Sequence, residues 1–335
     1  MVTEEEHVLP GLAQVYAYIF SYTFLLPVAV FVIWYIRDSM EIDDIDKKHV
    51  VITGCDSGFG NLAAKQLDRQ GFHVIAACLS ESGSYELSKA ASPRLKTVLL
   101  NVKDSASIDR AVEMVRRETG ERGLYGLINN AGVSIPIGPT EWLQIEDFRK
   151  VLDVNFMGVV EVTLKFLPLL KKAKGRVVNV ASILGRLSLV GGAYCPSKWG
   201  VEAFSDSVRR DMRHFGIKVS IIEPGFFKTN VTRLDLIEDD LQRLWDRLPD
   251  DVRATYGHSY LEEYKKSQSF SMTLLCSSDL SKVSNCMQHA LMAKYPRTRY
   301  SAGWDAKLFW IPLSYMPAFV GDFFIDILLP RPKQS

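Results

Sequence analysis

The tightest constraint on the fold is a glycine cluster set between two different hydrophobic patterns. His49–Thr53 is a short, β-branched apolar run with the composition of a buried strand, and residues 60–70 carry the spacing of an amphipathic helix. Thr53-Gly54-Cys55-Asp56-Ser57-Gly58-Phe59-Gly60 joins the two. Glycines permit the sharp turn and let a ligand approach the backbone. The unpaired amides and positive dipole end of the helix then favour a pyrophosphate. A glycine cluster alone marks any turn; between a first strand and a first helix it opens a dinucleotide-binding unit.

The alternation continues along the chain. Residues 73–79, 97–102, Gly126–Asn129, 176–181 and 218–223 are further short aliphatic runs, each followed by polar or glycine-containing turns. Strands separated by amphipathic helices require right-handed crossovers. The expected fold class is therefore α/β, a Rossmann-type doubly wound parallel sheet. With 335 residues and 47% hydrophobic content, the chain can bury one core of about 250 to 270 residues. We assign that domain to residues 49–300. Within it, Leu234, Ile237, Leu241, Leu244, Trp245 and Leu248 mark one helical face, most simply a helix packed on the core and alternatively part of a substrate lid over 226–275. Residues 301–335 are apolar and aromatic but broken by Pro312 and Pro317. They read as the lining of a substrate entrance, or as a surface segment lying against a membrane.

The N-terminal part has a different composition. Residues 16–36 are almost wholly apolar or aromatic, and no charge falls between His7 and Arg37. Such a run spans ~30 Å as a helix, the thickness of one hydrocarbon core. Tyr16, Tyr18, Trp34 and Tyr35 sit near its ends like interfacial aromatics, and Pro27 is tolerated in such helices. The run is long, the preceding Glu4–Glu6 stretch is acidic and no small-residue cleavage site follows, which disfavours a signal peptide. The expectation is a membrane anchor over 1–40 and a linker over 41–48. Arg37, Lys47 and Lys48 follow the helix, which favours a cytosolic catalytic domain. The sequon Asn230-Val231-Thr232 would matter only on the lumenal side.

A net charge of +1 with scattered Lys and Arg excludes a nucleic-acid binder driven by phosphate neutralisation. The five cysteines form no Cys-x-x-Cys pair and no metal spacing with His, so neither a disulfide framework nor a metal site is expected.

The chemistry centres on Tyr194 and Lys198, four residues apart, with Ser182 twelve residues upstream. An alcohol or carbonyl substrate needs one group to move a proton, one to hold its oxygen and one to tune the acid. Tyr, Ser and Lys suit those roles in that order. The spacing recurs at Tyr85 and Lys89, but without an upstream Ser, so that pair is read as an accident.

The motif set resembles the short-chain dehydrogenase/reductase family. Gly54-x-x-x-Gly58-x-Gly60, Asn129-Asn130-Ala131-Gly132, Asn155, Ser182, Tyr194-Cys195-Pro196-Ser197-Lys198 and Pro224-Gly225 through Thr229 follow the family's motifs in order. Ile52 to Asn61 and Val201 to Asp206 look like its branch of membrane-anchored microsomal retinol dehydrogenases and 3α/17β-hydroxysteroid dehydrogenases. The resemblance implies that Tyr194 is the general base in oxidation, with Lys198 as the cation lowering its pKa from about 10. It implies that Ser182 binds the substrate oxygen and that Asn155 holds a backbone distortion and a relay water. Gly54, Ser57, Gly58, Phe59, Gly60, Cys78, Asn101, Val102, Asn129, Ala131, Gly132, Pro224, Gly225 and Thr229, with Tyr194 and Lys198, are then expected around the cofactor.

In the family an acidic residue ending the second strand usually grips the ribose of NAD. Here that position is Cys78, followed by Leu79, and Asn101-Val102 replaces an adenine-contacting Asp-Val pair. No basic residue is seen to neutralise a 2′-phosphate, so NAD is preferred over NADP; Glu81 is a candidate contact to the ribose hydroxyls. The expected function is NAD-dependent oxidation of retinol or a 3α/17β-hydroxysteroid at the endoplasmic reticulum membrane, by a chain able to form homo-oligomers. A non-catalytic NAD-binding carrier would explain the anchor and glycine loop but not the Asn-Ser-Tyr-Lys set. A 3-hydroxyacyl dehydrogenase would favour a basic entrance, and the expected entrance is apolar.

Overall fold

The computed structural model describes residues 8–333; Glu4–Glu6 lie outside the described residues. The chain divides into two compact units. Among the described residues, one holds those up to Asp43 together with Met292–Pro296, and the other holds Asp44–Leu291 with those from Arg297 onward.

The first unit is built on a helix running through Val8–Phe20, a wider turn at Ser21–Leu25 and Leu26–Ser39. Gln14–Ser39 is 26 residues long with mean hydropathy 2.1, enough to cross a membrane, and its large apolar side chains are exposed. At its end Lys294 N donates to Met40 O (2.7 Å), and the Arg37 guanidinium lies 4.4 Å from the Tyr295 ring centroid.

The second unit is a seven-stranded sheet: β1 (His49–Thr53), β2 (His73–Cys78), β3 (Lys96–Leu99), β4 (Gly126–Asn129), β5 (Arg176–Val180), β6 (Lys218–Pro224) and β7 (Arg299–Ala302). The order is β3-β2-β1-β4-β5-β6-β7, and every pairing is parallel. Strand order reverses between β1 and β4, and in open α/β sheets ligands bind beyond the carboxyl ends at that switch point. Central strands are buried on both faces, and every residue of β1, β4 and β5 is buried. On one face Val51, Ile75, Leu127, Val177 and Val219 pack against Ile108, Val115, Phe166 and Leu170 of the helices Ser105–Thr119 and Gly158–Ala173.

The segment after β6 forms three helices, Leu234–Asp246, Asp250–Tyr256 and Tyr260–Leu275. Ile237, Leu241, Leu244 and Leu248 are buried around Trp142 with Tyr260 and Tyr264, so the periodic face expected from sequence is a packed one. In the C-terminal stretch a wide helical turn at Ala306–Trp310 runs on through Pro312 into Ile311–Ser314, and the break falls at Pro317, before the helix Ala318–Leu328. β7 was not expected from sequence. It has four residues with alternating burial, Tyr300 and Ala302 inward, and it pairs with Ile221–Pro224 of β6.

Phe166 is fully buried in the helix-side core. Phe166→Ala should cost about 3–5 kcal/mol, read as a lowered urea midpoint of the detergent-solubilised chain. An unchanged midpoint would show that this face does not carry the core.

Candidate active site

The helix Gly58–Arg69 begins at the glycine loop, and the loop conformation explains the motif. Gly54 has φ +71°, and a Cβ there would lie 2.7 Å from Ala131 Cα. Gly58 has φ +62°, which side-chain-bearing residues rarely adopt. The backbone of the loop is thereby drawn against the end of β4. Asn130 Nδ2 locks it there by donating to Thr53 O (2.9 Å) and Gly54 O (3.0 Å).

A cleft of about 670 Å³ runs over the carboxyl ends of β1, β2, β4, β5 and β6. Gly54, Ser57, Gly58, Phe59, Asn101, Val102, Ala131, Gly132, Tyr194, Lys198, Pro224, Gly225 and Thr229 line it. Ser57 and Asn230 meet across its edge, with Asn230 Nδ2 donating to Ser57 Oγ (3.0 Å). The glycine cradle, the helix start and the size of this cleft fit a dinucleotide.

Three residues expected around the cofactor are placed behind that wall. Gly60 packs against Gly54 O, where a Cβ would come within 2.4 Å. Asn129 Nδ2 donates to Thr163 Oγ1 (2.9 Å) and Asn179 Oδ1 (2.8 Å), tying strands to helix inside the core. Cys78 is fully buried, because it ends β2 pointing into the protein. The surface beyond β2 is made instead by Leu79, Ser80 and Asp56. Asp56 comes from the glycine loop and accepts from Leu79 N (2.8 Å), Ser80 N (2.9 Å) and Ser80 Oγ (2.7 Å). Desolvation raises its pKa, but those hydrogen bonds outweigh it and hold the carboxyl below its usual value. The acid missing at position 78 is thus present from another element. Its residue stood within the glycine motif, but nothing in the spacing says that its carboxylate reaches β2. Lys103 also lines the cleft, a basic residue the sequence reading did not weigh.

Ser182 and Tyr194 lie where the cleft meets a second cavity, and Lys198 lines the cleft beside them. Tyr194 and Lys198 share one face of the helix Tyr194–Met212, and Ser182 opens the turn after β5. Lys198 Nζ donates to Val180 O (3.0 Å) and lies 5.6 Å from the Tyr194 ring centroid. Asn155 sits in a widened helical turn, Asp153–Met157, between Ile145–Leu152 and Gly158–Ala173. Such turns re-aim side chains at functional sites. There Asn155 Nδ2 donates to Val133 O (2.8 Å) and to Ser197 Oγ (3.1 Å), while Asn155 Oδ1 accepts from Val133 N (2.8 Å). Asn155 therefore holds the loop after β4 and lies behind the cleft wall.

The electrostatics differ from the expectation in one respect. Desolvation pushes the Tyr194 phenol up to about 12, partly offset by its hydrogen bond with Ser182. Lys198 is not among the influences on it. Desolvation lowers Lys198 itself to about 8, and its nitrogen is aimed at the β5 carbonyl. Helical spacing placed the two residues on one face but did not fix where the amine points.

The second cavity is apolar. Ile137, Leu184, Val190, Phe226, Met272 and Trp310 are among its lining, with Ile325 and Leu328 from the C-terminal helix. Ser182, Tyr194, Gly225, Val231 and Thr232 belong to both cavities. The other Tyr-x-x-x-Lys pair is remote from either: Lys89 Nζ rests 4.1 Å from the exposed Tyr85 ring centroid.

The chain matches the short chain dehydrogenase family over residues 48–238. It is 54% identical over 286 residues to retinol dehydrogenase 7 of Rattus norvegicus, covering 85% of this chain and 90% of that protein. It is 53% identical over 304 residues to retinol dehydrogenase 5 of Homo sapiens, covering 91% and 95%. A short chain dehydrogenase from Burkholderia cenocepacia J2315, solved in complex with NADP, shares the fold with TM-score 0.62 at 19% identity, over 85% of this chain and 98% of that one. The chain belongs to the short-chain dehydrogenase family, in the branch that holds these retinol dehydrogenases. It is an alcohol dehydrogenase, and its cofactor is a nicotinamide dinucleotide.

A buried amine with a lowered pKa has a testable cost. Between about 8 and the ordinary lysine value, the folded chain binds fewer protons than the unfolded one, so stability rises with pH across that window. Lys198→Met should remove this rise and raise the melting temperature of the empty protein at pH 7 while abolishing turnover. Thermal scans at several pH values check it; a less stable variant would show that the amine is stabilised in place.

Proposed function

We propose that the chain oxidises the hydroxyl of a lipophilic alcohol, retinol or a 3α/17β-hydroxysteroid, with NAD as acceptor. The observation that carries this reading is the meeting of an apolar cavity and a polar cleft at Ser182 and Tyr194. Retinol dehydrogenases among the relatives support the substrate class.

When bound, the oxidised dinucleotide supplies the hydride acceptor and a positive charge near Tyr194. The chain supplies the rest. Ser182 Oγ holds the alcohol oxygen; Tyr194 first releases its own phenol proton to the relay water under the cofactor's positive charge, and the phenolate then takes the alcohol proton. Lys198, mostly protonated at neutral pH, orients the ribose hydroxyls. Asn155 fixes the loop at Val133 and a relay water beside Lys198, while Thr229 meets the carboxamide. Gly54, Ser57, Gly58 and Phe59 cradle the pyrophosphate; Asn101, Val102, Ala131, Gly132, Pro224 and Gly225 shape the remaining walls. Cys78, Gly60 and Asn129 support those walls from behind.

Asp56 favours NAD in this reading. Its carboxylate stands at the end of β2, where a ribose 2′-hydroxyl is bonded and a 2′-phosphate is repelled. We place the chain in the endoplasmic reticulum membrane through its N-terminal helix, with the catalytic domain cytosolic. Greasy alcohols partition into bilayers, so a tether raises encounter frequency. Homo-oligomers are part of the same proposal.

Tyr194→Phe should lower retinol turnover with NAD by about 10²–10⁴-fold, the usual contribution of a positioned proton-transfer group. Retained turnover would overturn the mechanism. In a parallel assay the wild type should favour NAD over NADP. Asp56→Ser should narrow that preference by about tenfold, or ~1.4 kcal/mol; a wild-type preference for NADP would refute the cofactor reading.

A further inference from the structure

We propose that Asp305 is a positioning residue for the alcohol site: its carboxylate holds the Gly225–Phe226 turn that forms the shared wall of the two cavities. This rests on the reading that the apolar cavity takes the alcohol.

Asp305 follows β7 and is 1% exposed. Its Oδ2 accepts from Phe226 N at 2.9 Å, and the neighbouring Gly225 N donates to Ala302 O at 2.8 Å. The chain has left room for this carboxylate on two sides. A Cβ on Gly225 would lie 2.2 Å from Asp305 Oδ2, and a Cβ on Gly303, at φ +105°, would lie 2.4 Å from Oδ1. Burial pushes the Asp305 carboxyl above its usual range, and the backbone amides of Phe226, Ala306 and Asp305 itself work against that push. A carboxyl buried this deeply is held by its bond from the Phe226 amide and by the room left at Gly225 and Gly303.

The position supplies the task. Pro224 and Gly225 line the cofactor cleft, while Gly225 and Phe226 line the apolar cavity. On the other side of Asp305, Ala306 and Trp310 pack with Ile183 and Leu184, the turn that Ser182 opens. The Phe226 and Trp310 rings stand 6.1 Å apart. One carboxylate therefore joins the C-terminal segment, the cavity wall and the turn carrying the substrate-binding serine.

The test uses the full chain in detergent. Losing a hydrogen bond to a charged group, Asp305→Ala should raise the KM for retinol by about tenfold or more while kcat changes less than about threefold. The Phe226 amide should exchange with deuterium faster than in wild type. Asp305→Asn keeps an acceptor at the same place and should retain most of both properties. Gly225→Ala should mimic Asp305→Ala, and the double variant should outperform Gly225→Ala alone because the colliding carboxylate is gone. A wild-type KM in Asp305→Ala overturns the proposal. So does faster exchange at Phe226 without a change in KM, which would leave Asp305 a structural tie only. If Asp305→Ala does not fold, Asp305→Asn and Gly225→Ala carry the comparison. A wild type that fails on retinol counts against the substrate reading instead; the exchange measurement then still decides whether Asp305 holds the turn, and KM is read with whichever alcohol is turned over.

Discussion

A phenol held in a desolvated site, hydrogen-bonded to a serine at the meeting of a polar cleft and an apolar cavity, is the feature on which the rest depends. Desolvation keeps Tyr194 protonated in the empty protein, at about 12, and keeps Lys198 easier to deprotonate than a free lysine, at about 8. Both shifts have one cause, the loss of water around groups whose charged forms need it. The low dielectric also strengthens any charge placed beside them. The site is thus unfavourable at rest and responsive when filled, the balance expected where activity is bought with local stability.

The fold exists to hold that junction. Five parallel strands end at the cleft, the widened turn at Asn155 fixes the loop beyond β4, and the helix from Tyr194 presents two functional groups one turn apart. The apolar cavity joins residues of the core domain, Ile137, Leu184, Val190 and Phe226, to later sequence: the Tyr260–Leu275 helix, Trp310 and the Ala318–Leu328 helix.

Much of this was legible in the sequence, for definable reasons. Buried strands and the glycine turn are local patterns, so β1 to β6 were located to within a few residues. β7 was not, because Arg299-Tyr300-Ser301-Ala302 is short, half polar and recognisable only from its pairing with β6. The ordered motifs brought Ser182, Tyr194 and Lys198 together, but the aim of the Lys198 amine toward Val180 is a tertiary fact. Cys78 was placed at the cofactor by counting, whereas the carboxylate beyond β2 arrives from Asp56, 23 residues before its partner Leu79. Asp305 belongs to no motif of the sequence; its partner Phe226 is 79 residues away. Long-range hydrogen bonds leave no period in a sequence.

The most direct measurement is a structure of the chain with NAD and a retinoid that is bound but not turned over. The account predicts the dinucleotide along the glycine loop and the ligand's polar end within hydrogen-bond reach of both Tyr194 Oη and Ser182 Oγ, its hydrocarbon against Phe226 and Trp310. A retinoid bound elsewhere, or a nicotinamide ring distant from Tyr194, would contradict it.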